Sequence, residues 1–109
     1  MAKAYTASMN NDPVAACHEP FHKIVFENEF ARFFSVELPP GATTRLHRHD
    51  ADYYVVIVAA ADIEDTTEGQ APEHVHFNGG EMLSGKRGHV HRVKNLGPAP
   101  FRNVGIELK

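Results

Sequence analysis

The chain has 109 residues, enough for one domain around a single core. With 42% hydrophobic and 23% charged residues and a net charge of −3, its composition is that of a folded protein, and no stretch approaches the roughly 20 apolar residues of a membrane-spanning helix. A mildly acidic chain without a basic stripe also lacks the electrostatic footprint of a nucleic-acid binder.

Residues 1–20 read as a polar, loosely ordered arm, and residues 21–109 as the folded domain. The one cysteine, Cys17, excludes an intrachain disulfide and fits a reducing compartment. Met1 to Cys17 has no apolar export segment, so a cytoplasmic protein is expected. Val14-Ala15-Ala16-Cys17 does resemble the end of a bacterial lipoprotein cleavage site, and an exported parent with a trimmed signal is the alternative.

Phe21 to Phe26 alternates loosely and ends at the polar turn Glu27-Asn28-Glu29. Phe30 to Leu38 is rich in aromatic and β-branched residues and stops at Pro39-Pro40-Gly41, because proline cannot donate to a sheet ladder. Thr43 to His49 reads as a strand, and Tyr53 to Val58 is the most β-prone run. Ala59-Ala60-Ala61 is too short to nucleate a helix. Asp62 to Gln70 reads as a polar hairpin end, and Val75-His76-Phe77 leads into the turn Asn78-Gly79-Gly80. Met82-Leu83, Val90 to Val93 and Phe101 to Leu108 supply the last strands. Many short strands punctuated by glycine and proline predict an all-β sandwich or barrel. Tyr54, Val56, Val58, Phe26, Phe33, Phe77, Leu83 and Phe101 are the expected core, with Phe30, Phe34 and Met82 as candidate pocket residues.

Histidine is the compositional outlier, at positions 18, 22, 47, 49, 74, 76, 89 and 91. Neutral imidazole is the commonest protein metal ligand. On a strand, residues two apart share a face, so His47 and His49 project side by side as a chelating pair that needs a third ligand from another strand.

Two segments together resemble the signature of the cupin superfamily. The first half matches at Gly41, His47 and His49, and the second at Gly80, Gly88, His91 and Asn95, with about twenty residues between them. The resemblance implies a double-stranded β-helix, or jelly roll, spanning residues 21–109. It further implies that His47, His49 and His91 hold one divalent transition metal. Imidazole does not choose sharply among Fe, Zn, Ni, Mn and Cu. Lys86 replaces the usual proline and Ala60 the last glycine of the first half. Tyr53 stands where the family has a glutamate ligand. A neutral phenol is a poor ligand for a divalent ion, so Tyr53 is expected to act beside the metal as a hydrogen-bond donor or proton-transfer group.

Asp50 and Asp52 lie on the opposite face by parity, and only a bulge would re-aim one of them at the metal. His89 shares parity with His91 and is a candidate supporting group. His74 and His76 fall outside the motif, and His18 and His22 are expected in solvent, as is Arg45 despite sharing parity with His47. Cupins with three histidines and no glutamate resemble iron-dependent dioxygenases, the favoured reading. A redox-neutral isomerase or lyase and a non-catalytic small-ligand barrel are the alternatives. A small-molecule substrate and a homodimer are the expected partners, the latter by similarity to small cupins and from the apolar N-terminal strands.

Overall fold

Glycine and proline cut the chain into short strands, and the computed structural model, which describes residues 12–109, closes them into two facing sheets. In chain order the strands are β1 (Val14–Ala15), β2 (His22–Glu27), β3 (Ala31–Leu38), β4 (His47–Arg48), β5 (Asp52–Ile57), β6 (Ala61–Thr67), β7 (Glu73–Phe77), β8 (Met82–Gly85), β9 (Val90–Asn95) and β10 (Phe101–Leu108). One sheet runs β1-β4-β9-β6-β7 and the other β2-β3-β10-β5-β8. This is the expected all-β double-stranded β-helix. Among the described residues no helix is long and apolar enough to cross a membrane.

Strand parity sets the core. In β3 the inward residues are Phe34, Val36 and Leu38, and in β10 they are Phe101, Asn103, Gly105 and Glu107. Register places Tyr53 against Glu107 and Ile57 against Asn103, so β5 turns Tyr53, Val55 and Ile57 inward. The expected core set Tyr54, Val56 and Val58 is therefore one residue out of phase: Tyr54 and Val58 are exposed. Every residue of Tyr53 to Val58 suits a strand, so composition could not choose the face, and cross-strand register did.

Phe26 is also exposed, because a bulge between Ile24 and Phe26 turns it outward against the Phe33 ring. Leu83 sits on an edge strand at the borderline of exposure. Phe77 and Phe101 are buried as expected and stack at 6.1 Å between centroids. Phe30 and Met82 point to solvent, and of the candidate pocket residues only Phe34 lines the cavity.

Two segment assignments change. The polar stretch after Ala60 holds β6, which lies between β9 and β7. Two of its outward residues, Asp62 and Glu64, are acidic and hid an alternation whose inward positions include Ala61, Ile63 and Asp65. The Thr43 to His49 stretch pairs as a strand only at His47–Arg48, with one isolated bridge from Thr43 to Lys94.

The segment from Val14 onward is also not a loose arm. Val14–Ala15 pairs in parallel with β4, a 3-10 turn follows over Ala16–His18, and Ala16 and Glu19 are buried. The Glu19 carboxylate is the anchor: it accepts from the backbone N–H of Phe21 (2.7 Å) and of Arg45 (2.9 Å). Residues 1–11 of the expected arm lie outside the described residues.

The motif's Gly88 and Asn95 have structural work. Gly88 takes a φ of 90°, open to glycine at little steric cost, and its N–H donates to the His49 carbonyl at 2.8 Å, tying the two halves together. Asn95 is fully buried, donates to the carbonyls of Leu38 (3.0 Å) and Ala99 (2.8 Å), and accepts from the Gly97 N–H (2.9 Å).

Candidate metal centre

β4 delivers His47 and, just past its end, His49, while β9 delivers His91 directly opposite His47 in the ladder. The rings sit close together, with centroids 4.7 Å apart for His47 and His91, 5.2 Å for His47 and His49, and 5.4 Å for His49 and His91. One nitrogen from each of the three buried rings lies within 4.8 Å of the other two, so the cluster could hold a metal ion.

The opposite edge of each ring is tied down. His47 Nδ1 donates to the Arg45 carbonyl at 2.7 Å, His91 Nδ1 to Asp65 at 2.9 Å, and His49 Nδ1 to Glu107 at 3.1 Å. Donation from Nδ1 fixes the tautomer and leaves each Nε2 as a bare lone pair, the arrangement that metal-binding histidines use. His49 Nε2 and His91 Nε2 then face each other at 3.3 Å. At that distance the two nitrogens can share a proton or chelate one cation, and with His47 beside them the donor set fits a metal ion.

Electrostatics agree. Burial, with the neighbouring His91 and His22, pushes the His47 pKa down to about 2 and the His49 pKa down to about 3. Both imidazoles are therefore neutral at physiological pH, the form that ligates a metal. Burial pushes the Glu107 carboxyl upward, opposed by the Arg32 guanidinium.

Tyr53 lies flat on His49, with centroids 3.7 Å apart and planes at 15°. The space comes from Gly85, its cross-strand partner, where a Cβ would overlap the phenol ring. The Tyr53 hydroxyl donates to His89 Nδ1 at 2.6 Å, and the far edge of His89 meets the Thr67 hydroxyl at 3.1 Å. Burial and the acidic neighbours Asp65 and Glu107 push the Tyr53 pKa above its ordinary 10, which keeps it a neutral phenol.

Asp50 and Asp52 are exposed on the outer face, where Asp50 accepts from Arg48 at 2.8 Å and Asp52 from the Arg87 N–H at 2.9 Å. No bulge re-aims them. His74 and His76 are exposed beside Asp62, and His18 is exposed. Arg45 is exposed, donates to the Asp12 carbonyl at 3.4 Å and does not line the cavity.

His22 departs from expectation. It pairs with Glu19 at 2.8 Å, lines the cavity and brings its ring centroid to 4.7 Å from that of His47. Nothing local in the sequence marks it, because its position depends on β2 folding over the site from the other sheet. Asp65 and Glu107 were also missed, although each had a signal. Glu107 continues the inward series Phe101, Asn103, Gly105, and Asp65 lies two residues beyond the buried Ile63.

The cluster lines a cavity of about 310 Å³, near the lower limit for small-molecule sites. Val55, Ile63, Val75, Val93 and Phe101 are among the apolar residues on its walls.

No protein-family model and no curated protein sequence matches the chain. Solved structures do. A cupin domain from Bordetella pertussis is 24% identical, with a TM-score of 0.77 over 90% of this chain and 97% of its own. A protein with a double-stranded beta-helix domain from Klebsiella pneumoniae is 20% identical, with a TM-score of 0.68 over 99% and 90%. A DMSP lyase from Ruegeria pomeroyi is 21% identical, with a TM-score of 0.58 over 75% of this chain and 40% of its own. Motif, sheet order and these likenesses agree, and the chain has the fold of a small cupin domain.

Proposed function

We propose that this protein is a metal-dependent enzyme for a small, largely apolar organic molecule, with one divalent transition metal held by His47, His49 and His91. The observation that carries the proposal is the cluster of three buried histidines, each anchored through its own Nδ1, on the wall of a largely apolar cavity. Such a metal supplies Lewis acidity or, if it is iron, activation of dioxygen.

The chain's own residues do the rest. Asp65, Glu107 and the Arg45 carbonyl hold the three rings in one tautomer. The apolar walls exclude water and receive the body of the substrate. Tyr53 presents a neutral phenol beside His49, with His89 as its hydrogen-bond acceptor and Thr67 beyond. In that arrangement the phenol proton points to His89, and the Tyr53 oxygen is placed to accept from a substrate hydroxyl. A site of three histidines with no carboxylate ligand supports the dioxygenase reading. The Tyr53–His89 pair supports a redox-neutral isomerase or lyase, and a lyase occurs among the proteins of similar fold.

Elemental analysis of the purified protein should find about one transition metal per chain, lost in His91→Ala. A protein that binds no metal and retains an ordinary apolar cavity refutes the enzyme reading and leaves a small-ligand barrel. Oxygen uptake by the iron-loaded protein with diketone, thiol and catechol panels identifies the dioxygenase. Turnover by the zinc-loaded protein without oxygen identifies the redox-neutral enzyme. The homodimer expectation gains support from Ile24, Val25, Phe26 and Phe30, which are exposed along and beside the edge strand β2. Light scattering on Phe26→Glu tests it.

A further inference from the structure

Asn103 is a buried polar side chain without a side-chain hydrogen-bond partner among the described residues. Among the described residues Glu19, Thr44, His47, His49, His91, Asn95 and Glu107 are also buried, and each makes a side-chain hydrogen bond. Asn103 is 8% exposed, lines the cavity and makes none among the described residues. Its neighbours offer nothing. Register places it between Val36 on β3 and Ile57 on β5, with Phe101 and Gly105 flanking it on the same face of β10. A primary amide can donate twice and accept twice, and leaving all of that unmet in an apolar wall is unfavourable. Asn95, one strand-end away in sequence, makes three hydrogen bonds.

Asn103 and Glu107 share the inward face of β10 four residues apart, roughly 13 Å along the strand. Between them Gly105 contributes no side chain and lines the cavity. The cavity wall along β10 therefore carries two polar points, Glu107 beside the histidine cluster and the amide of Asn103 farther along, with Gly105 between them and Phe101 and Leu38 continuing an apolar wall beyond. We propose that Asn103 is a specificity residue that binds the remote end of the ligand. The ligand class follows: a small molecule with a metal-binding group at one end, an apolar middle, and an uncharged hydroxyl or carbonyl oxygen at the other. A carboxylate is disfavoured at the remote end, because a neutral amide among apolar side chains does not compensate a buried charge. This inference rests on the metal-site reading above, and its test separates the two.

The probes are ω-hydroxyalkanohydroxamic acids and their parent alkanohydroxamic acids, with chains of about four to seven carbons, lengths suited to roughly 13 Å less the reach of the side chains. The members of each pair share the metal-binding head and differ only in the remote hydroxyl. Titration calorimetry on the zinc-loaded protein should show one chain length at which the hydroxylated compound binds about fivefold tighter, the ratio given by a net hydrogen bond of about 1 kcal/mol. In Asn103→Leu that preference should vanish or reverse, and the metal-free variant should be at least as stable to urea as the wild type. Equal affinities at every length, or a preference that survives Asn103→Leu, overturns the assignment and leaves the metal site standing. Marked destabilisation by Asn103→Leu also overturns it, because the amide would then be serving the fold. Failure of the protein to take up zinc refutes the metal reading and the inference with it, and failure of both members of every pair to bind the loaded protein overturns the inference alone.

Discussion

The buried imidazoles make the metal-free protein acid-labile, in a window set by their depressed pKa values. His47 and His49 are neutral in the fold down to about pH 2 and about pH 3, against an ordinary imidazole value of 6.5. Below pH 6.5 the unfolded chain takes up two protons that the folded chain refuses, so stability is fully present above 6.5 and is lost as pH falls. Each such group costs about 1.4 kcal/mol per pH unit well below 6.5, and two of them remove about 4 kcal/mol between pH 8 and pH 5. That is a large part of the ~5–15 kcal/mol that holds a domain together. Glu19, whose carboxyl is held below its ordinary 4.5 by His22 and by the backbone N–H groups of Arg45 and Phe21 against the opposing effect of burial, adds to the loss only under that pH. Glu107 is shifted upward by burial and works in the opposite direction. Urea melts of the chelator-treated protein across this range measure the slope directly. Replacing His47 with Gln should reduce the slope by one proton. A metal-free protein equally stable at pH 8 and pH 5 would refute the picture of two neutral, buried rings.

Three substitutions probe the supports of the site. Glu107→Gln removes the carboxylate behind His49 and should weaken zinc binding about 10- to 100-fold in competition with a chromophoric chelator, whereas unchanged affinity would mean that His49 is oriented by other contacts. Gly85→Ala drives a methyl into the Tyr53 ring, which is pinned by His49 and His89. The expected loss is about 1–3 kcal/mol, and most of it should disappear in a Tyr53→Leu background; strictly additive effects would exclude the clash. Glu19→Ala strands the N–H groups of Phe21 and Arg45 at about 1–3 kcal/mol each and should speed hydrogen exchange at the Arg45 amide, a change that a solvated Glu19 would not produce.

Much of the site was legible because metal ligation imposes spacing. Two histidines two apart on a strand must share a face, and the glycines and Asn95 that frame them answer local backbone and hydrogen-bond needs. The sequence alone therefore determined the all-β class and the grouping of His47, His49 and His91 as candidate ligands. What it could not determine was anything dependent on one sheet meeting the other. The face of Tyr53 to Val58, the partnership of His49 with Glu107 across 58 residues, and the approach of His22 to His47 are all set by register and closure. Strand alternation tells which residues share a face and leaves open which face is buried, and closure of the two sheets makes that choice. It is closure, too, that places Asn103 against apolar neighbours on both sides and leaves its amide to the cavity.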